Sequence, residues 1–328
     1  MSRLIIHIGM YKTGTKSVQS FFFHLRDAIG AAGLYYPRSG CVPSEGAHHN
    51  IYRAYSERSA ERSRYNSQLG GPVELASELS EVQSDVLVSS EAFWALARDE
   101  PKQFTRLVHE IGSKRQVTFL VTWRNAAEYC ESLYFQNAKN NQMPSIEGSL
   151  RSFLKVPGEF EKVVSFITAQ FDAELIIIQY NRDMIGQFKR MFSECLGIKL
   201  DEELRGQDAL NSSLTPLQKL VAAHMSMTPT RFEPNVYRNI LGIFADGVGI
   251  DESEKGWSIM PLDFQQKLID ESLISLHRLV SGSGRIALFP RALPTNIQAK
   301  PFLLEKPPRL LFSKLESALS AFGFTGSK

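Results

Sequence analysis

An apolar run that leads through glycines, a lysine and hydroxyl residues into a helical pattern constrains this chain more than any other feature. It covers residues 3 to 25 and reads RLIIHIGMYKTGTKSVQSFFFHL. The order of residues predicts a buried strand, a loop and the start of a helix. Free N–H groups and the helix dipole make such an N-terminus attract anions. The sequence therefore predicts an anion-binding loop directly after the first strand.

Further short apolar runs alternate with helical patterns, at residues 85 to 89, 117 to 122 and 175 to 179. Two of them, VTFLVT and LIIIQ, are apolar on both faces, which is typical of strands that helices cover on each side. The sequence predicts an α/β fold, a three-layer sandwich around a mostly parallel central sheet.

The pattern predicts one domain over residues 1 to 328. Its α/β core spans residues 1 to 200, and a polar stretch at about 36 to 84 is expected to form a helical insertion on the substrate side. Patterns typical of strands become rare after about residue 200, so residues 201 to 328 are predicted to form a mainly helical extension. Apolar faces of these helices can pack internally or across a homodimer, and spacing does not choose between the two.

Composition limits the function classes. The chain has 37 Lys and Arg against 35 Asp and Glu, which gives no general argument for binding nucleic acid or an acidic membrane. No run of about 18 apolar residues occurs, so no membrane span is expected. Three cysteines (Cys41, Cys130 and Cys195) lack paired spacing, which indicates reduced, inert thiols and a cytoplasmic location.

The loop differs from a Walker A motif, which requires lysine directly after the second glycine. Gly9 and Gly14 have the required separation, but Thr15 takes the lysine position and Lys16 comes one residue late. One residue turns a helix by about 100°, so Lys16 is expected on the solvated first turn. Lys12, inside the loop, is the better cation for the anion.

Other groups of the loop are also expected to bind the anion. Backbone N–H groups from position 14 to 18 surround the positive end of the helix. Hydroxyl donors come from Thr13, Thr15 and Ser17.

At these residues the chain resembles the 3′-phosphoadenosine-5′-phosphosulfate (PAPS)-dependent sulfotransferases. YKTGTKSVQ is similar to their 5′-phosphosulfate loop, K-[ST]-G-T-[TS]. In VTFLVTWRNAAEYCESLYFQ, Arg124 follows a strand and Ser132 lies eight residues later, as in the family's 3′-phosphate site. ESLYFQ resembles the bacterial enzymes that modify glycans. The resemblance also implies a fold like that of P-loop nucleoside triphosphate hydrolases.

The resemblance implies PAPS as co-substrate and no required metal, because a sulfuryl group carries less charge than a phosphoryl group. The residues it assigns to PAPS are Lys12, Thr13, Gly14, Thr15, Lys16, Ser17, Arg124 and Ser132. Relatives commonly carry a second threonine where this chain has Lys16. Ser17 compensates for that hydroxyl, or Lys16 acts as an extra cation.

Sulfuryl transfer needs a cation near the leaving oxygen and a base near the acceptor hydroxyl. Lys12 is expected to supply the cation by analogy with the family lysine. Glu91 is the first choice for the base, because it follows the strand DVLVSS. The alternative is a helix N-terminal glutamate favoured by the dipole. His48 is the rival base.

The stretch around NIYRAYSERSAERSRY supplies candidate substrate contacts, namely Tyr52 and Arg53, and His49 lies just before it. The Arg53/Glu57 spacing also suits a solvated helix with mixed charge pairs, and the pattern favours that interpretation.

The leading hypothesis is a sulfotransferase that acts on a hydroxyl of a carbohydrate or other small acceptor. One alternative is an ATP-dependent small-molecule kinase. The displaced lysine and the lack of an apolar strand that ends in a magnesium-binding Asp disfavour it. The other alternative is a non-catalytic nucleotide-binding relative.

Overall fold

The computed structural model describes residues 2–112, 115–139, 146–204, 218, 221–222, 258–295 and 297–300. The chain divides into two compact units. The first holds Met1–Arg124, Gly158–Leu210 and Ser275–Pro294, and the second holds Asn125–Pro157, Asn211–Ile274 and Thr295–Lys328.

A six-stranded sheet forms the centre of the first unit, with strand order β2-β3-β1-β4-β5-β6 and parallel pairing throughout. The strands are β1 (Arg3–Ile8), β2 (Leu34–Tyr35), β3 (Asp85–Ser90), β4 (Gln116–Trp123), β5 (Glu174–Gln179) and β6 (Ile286–Phe289). The predicted α/β fold with a mostly parallel sheet is confirmed.

The helices connect and cover these strands. They are α1 (Thr15–His24), α2 (Arg26–Ala31), α3 (His49–Tyr55), α4 (Ser59–Arg62), α5 (Pro72–Glu81), α6 (Ala92–Asp99), α7 (Pro101–Gly112), α8 (Ala126–Lys139), α9 (Ile146–Phe153), α10 (Val156–Gln170), α11 (Met184–Leu196) and α12 (Leu262–Gly282). None of the helices in the described ranges is both long and apolar enough to cross a membrane.

One face of the sheet is covered by α1, α2 and α11. Ile5 and Leu120 on the strands are buried in one cluster with Phe22 of α1 and Phe188 of α11. The rings of Phe22 and Phe188 meet edge to face at 6.4 Å, a favourable aromatic geometry. Alternate strand residues point to this face.

The opposite face is covered by α7 and α10. Phe119 of β4 lies 6.1 Å, ring to ring, from Phe104 of α7 and 5.3 Å from Phe171, which follows α10. Helices on both faces explain why VTFLVT is apolar at every position. The predicted three-layer arrangement therefore describes the first unit.

Four strands were predicted and two were not. β2 has only two residues and β6 only four, too short to give a period. β6 also lies in the stretch expected to be mainly helical, among glycines and prolines that predict irregular structure. Both strands lie at the edges of the sheet. An edge strand pairs with one neighbour only, so it can be short.

The expected helical insertion at 36 to 84 contains α3, α4 and α5, together with a 3₁₀ turn at Ser67–Leu69. In the second unit the hydroxyl of Ser272 on α12 accepts a 3.0 Å hydrogen bond from the N–H of Ala126, at the start of α8. Much of the mainly helical extension predicted for residues 201 to 328 lies outside the described residues, namely 205 to 217, 219 to 220, 223 to 257, 296 and 301 to 328.

Candidate functional site

The carboxyl ends of the parallel strands bring the candidate residues to one edge of the sheet. β1 lies between β3 and β4, with Ile8 opposite Ser90 on one side and Val121 on the other. The helix that follows β1 covers one face, and those that follow β3 cover the other. Open α/β sheets bind ligands in the crevice that this reversal creates.

Two glycines allow the loop between β1 and α1 to turn tightly. Gly14 has φ 75°, a left-handed conformation that favours glycine, and a Cβ there would lie 2.7 Å from Cγ of Met184. At Gly9 a Cβ would lie 2.5 Å from Oγ1 of Thr15. A side chain at position 9 would collide with the start of α1, and one at position 14 would collide with Met184 at the start of α11.

The threonine hydroxyls hold the loop together. Oγ1 of Thr13 donates to the carbonyl of Met10 at 2.7 Å, and Oγ1 of Thr15 donates to the same carbonyl at 3.2 Å. Both side chains are buried. In this structure their protons close the turn, and a contact of these hydroxyls with an anion stays a prediction.

Backbone donors remain at the start of α1. Its first backbone bonds are those that Ser17 and Val18 donate to the carbonyl of Gly14. The N–H groups of Thr15 and Lys16 come earlier in the helix and have no acceptor within it. Ser17 itself is half-buried, and Lys16 is exposed, as predicted for the first turn.

Arg124 connects the end of β4 to this loop. Its Nη1 donates a 2.7 Å hydrogen bond to the carbonyl oxygen of Lys12, and its guanidinium lies 4.3 Å above the ring of Tyr180. Lys12 has φ 61°, an uncommon conformation for a residue with a side chain. The structure thus joins Arg124 to the backbone of Lys12, a contact that the sequence did not predict.

Ser132 is a half-buried residue of α8 in the second unit. Its pairing with Arg124 around a phosphate stays a prediction.

A cleft of about 370 Å³ opens beside the loop. Five residues that the sequence nominated line it, namely Lys16, His49, Tyr52, Arg53 and Glu91. The other lining residues are Tyr11, Gln19, Glu45, Arg58, Glu61, Arg64 and Ala92. The predicted base, the substrate contacts and one cation of the loop therefore share one cavity.

Glu91 lies between β3 and α6 and is half-buried. Burial, the larger cause, and the nearby carboxylate of Glu45 together raise its pKa from the ordinary 4.5 to about 7, while the charges of Lys12 and Lys16 act in the opposite direction. A carboxylate with a pKa near neutrality suits a general base.

His48 has a different position from the one its sequence context suggested. It is fully buried; its Nδ1 accepts from the N–H of Ser89 at 3.1 Å, and its Nε2 donates to the carbonyl of Pro37 at 3.1 Å. Burial lowers its pKa to about 4. With both ring nitrogens bonded to backbone, His48 fastens the insertion to β3.

His49, Tyr52 and Arg53 face the cleft because positions i, i+3 and i+4 share one face of a helix. His49 contacts Oγ of Ser90 through Nδ1 at 2.6 Å and a carboxylate oxygen of Glu45 through Nε2 at 3.2 Å.

The interpretation of this stretch as a solvated helix with mixed charge pairs is wrong for α3. Arg53 is only 7% exposed, and its ion-pair partner is Glu45. Glu57, the partner that helical spacing suggested, lies beyond the end of α3 at Tyr55.

Sequence reasoning missed Glu45, which contacts both His49 and Arg53 from a loop. A loop residue has no periodicity from which its direction can be inferred. The only available signal was its spacing of four residues before His49.

A buried polar network supports the floor of this region. Ser89 Oγ lies 2.8 Å from Nδ1 of His7 and accepts from the side-chain amide of Gln19 at 3.2 Å. Burial lowers the pKa of His7 to about 3, so the ring is neutral. The network joins β1, β3 and α1 beneath the cleft.

No protein-family model and no curated protein matches the chain. Among the residues that the structure describes, no group of three or more His, Cys, Asp or Glu side chains is placed to hold a metal ion.

Proposed function

We propose that the chain is a sulfotransferase that transfers a sulfuryl group from PAPS to a hydroxyl of a carbohydrate or other small acceptor. The observation that carries this proposal is the position of Glu91. A carboxyl group with a pKa near 7 lines a cleft together with Lys16, next to a glycine-containing loop at the N-terminus of α1. The site thus combines a base with an anion-binding loop.

The residues of the loop fit the phosphosulfate end of PAPS. The left-handed Gly14 leaves the N–H groups of Thr15 and Lys16 without acceptors inside the helix, and such groups bind anions. The guanidinium of Arg124 donates to the carbonyl of Lys12, and we assign this permanently charged group to the 3′-phosphate as well. When bound, PAPS supplies an electron-poor sulfuryl group attached to a phosphate leaving group.

The chain's own residues then have distinct tasks. Lys12 balances negative charge at the leaving oxygen, as a preorganised cation does in other transfer reactions. Glu91 takes the proton from the acceptor hydroxyl. The buried Thr13 and Thr15 hold the loop in shape, so little reorganisation is required.

Binding of nucleotides tests the proposal. Titration calorimetry without magnesium compares adenosine 3′,5′-bisphosphate, ADP and ATP. We expect clear preference for the bisphosphate. Preference for ATP that magnesium strengthens would reject the proposal in favour of a kinase. Binding of the bisphosphate without sulfuryl transfer to any of a broad set of acceptors would indicate a non-catalytic relative. The cytoplasmic location and the homodimer stay predictions.

A further inference from the structure

Arg53 is a buried cation without a close partner for every donor. The residue is 7% exposed. Its Nη2 lies 3.4 Å from Oε1 of Glu45, whereas a charged hydrogen bond of this type usually measures about 2.7 to 2.9 Å. Its buried Nε has no hydrogen-bond partner in the part of the chain that the structure describes. Burying such a group costs free energy unless a ligand or partner satisfies it.

Arg53 shares the cleft with other cations and with carboxylates. Lys16, Arg58 and Arg64 also line the cleft, so four cations face the carboxylates of Glu45, Glu61 and Glu91. Arg58 directs its charge to Asp99, outside the cleft lining, at 2.5 Å.

Two of these arginines act on His49 of α3. After burial, the next causes that lower the pKa of His49 are the charges of Arg53 and Arg64. An anionic ligand at this end of the cleft would lie near both of these cations.

We propose that the acceptor carries its own anionic group, a carboxylate or sulfate ester, and that Arg53 binds this group while Glu91 receives the acceptor hydroxyl. The inference rests on the proposed function for the identity of the reaction, but not for the binding of the anion. Planar guanidinium donors match a carboxylate or sulfate in two-point geometry. Tyr52, buried beside Arg53 on the same helix face, supplies an apolar wall for the body of the acceptor.

Glu45 has a defined part in this arrangement. In the absence of an acceptor it is the carboxylate nearest to Arg53, and it also contacts His49 at 3.2 Å. An anionic acceptor competes with Glu45 for Arg53, and His49 keeps a second contact for the displaced carboxylate. A neutral acceptor has no group to replace Glu45 and gains nothing from Arg53.

A matched pair of probes tests this inference without the donor. 4-Nitrophenyl β-D-glucuronide and 4-nitrophenyl β-D-glucoside differ by a carboxylate in place of a hydroxymethyl group. Titration calorimetry on the full chain is expected to give at least about ten-fold tighter binding of the glucuronide, the range of a charged hydrogen bond. In Arg53→Gln this preference should disappear. Arg106→Gln, which removes an exposed arginine paired with Glu110 on α7, should keep it.

A second variant keeps the test decisive if Arg53→Gln does not fold. Glu45→Gln removes the competing carboxylate while keeping the size of the side chain, so it should tighten glucuronide binding by about three-fold or more. Equal binding of the two probes, retention of the preference in Arg53→Gln, or weaker glucuronide binding in Glu45→Gln would each overturn the inference.

The two proposals fail separately. If the chain does not prefer adenosine 3′,5′-bisphosphate, the proposed function fails, yet the glucuronide measurement needs no nucleotide. If the bisphosphate binds and the glucuronide preference is missing, only the anionic acceptor is rejected.

Discussion

The guanidinium of Arg124 donates a 2.7 Å hydrogen bond to the carbonyl oxygen of Lys12. This bond joins the end of β4 to the middle of the loop after β1, and it fixes the backbone at a residue with φ 61°. Arg124 therefore shapes the loop in addition to any contact it makes with a nucleotide.

Replacement of Arg124 should consequently affect more than one phosphate. Arg124→Ala is expected to weaken the binding of adenosine 3′,5′-bisphosphate by about 100-fold and that of ADP by about ten-fold. The bisphosphate loses a charged contact, and both nucleotides lose the hydrogen bond that holds the loop in shape. Calorimetry with the two nucleotides measures this. An unchanged ADP affinity would show that the loop does not depend on the bond to Lys12.

Lys12 should be essential for turnover although its conformation is unfavourable for folding. Lys12→Ala should lower kcat by about 10² to 10³-fold, the loss seen when one charge-stabilising donor is removed. Lys12→Gly should be equally slow yet about 1 kcal/mol more stable than Lys12→Ala, because glycine adopts positive φ without strain. Steady-state kinetics measure the loss of kcat, and urea unfolding measures the difference in stability. Lys102→Ala on α7 is the control in both measurements. Normal turnover in Lys12→Ala would remove Lys12 from the mechanism.

Glu91 should give the reaction its dependence on pH. Its pKa of about 7 predicts that kcat/KM rises through neutrality as the carboxyl group ionises. Glu91→Gln should lower kcat by about 10² to 10⁴-fold without weakening the binding of adenosine 3′,5′-bisphosphate. If the variant keeps the same pH profile and rate, another group is the base. Glu81→Gln, on the exposed end of α5, is the matched control.

The same carboxyl group should destabilise the fold at high pH. Its pKa is raised from 4.5 to about 7 in the folded chain, so the unfolded chain ionises first and stability falls as pH rises between these values. Glu91→Gln stays neutral, and it should be about 1 to 3 kcal/mol more stable than the parent at pH 8, with no advantage below pH 4.5. Urea unfolding at both pH values checks this. A variant less stable than the parent at pH 8 would contradict it.

Three histidines should act in the opposite direction in acid. Burial lowers the pKa of His7 to about 3 and those of His48 and His49 to about 4, so between those values and 6.5 only the unfolded chain binds their protons. Stability from these groups is lost as pH falls through that window. On unfolding near pH 5.5 the three histidines bind about three protons and Glu91 releases about one, so the net uptake is about 2 protons. The free energy of unfolding therefore falls by about 2.7 kcal/mol for each pH unit that the pH is lowered.

The pH dependence of urea unfolding between pH 5 and 6 measures this uptake of protons. His49→Gln removes one of the three groups and should reduce the uptake to about one proton. A slope that does not change in this variant would mean that His49 is not held neutral in the cleft.

Much of the fold and part of the site could be predicted because local patterns report them directly. Apolar runs on both faces identified β1, β3, β4 and β5, and parallel pairing places the residues that follow these strands at one edge. That reasoning brought Lys12, Glu91 and Arg124 to the same edge, where the structure has them. β2 and β6 were too short to produce such a pattern.

What the sequence alone determined is therefore the four central strands, the edge at which they end and the residues that follow them, because apolar runs and chain direction decide these. Tertiary structure alone decided the sides of the cleft. His48 and His49 are neighbours, yet the first is buried with both nitrogens bonded to backbone, and the second contacts Glu45 in the cleft. The difference depends on how the insertion packs against the end of β3. Contacts between segments far apart in the chain leave no periodic signal in either segment.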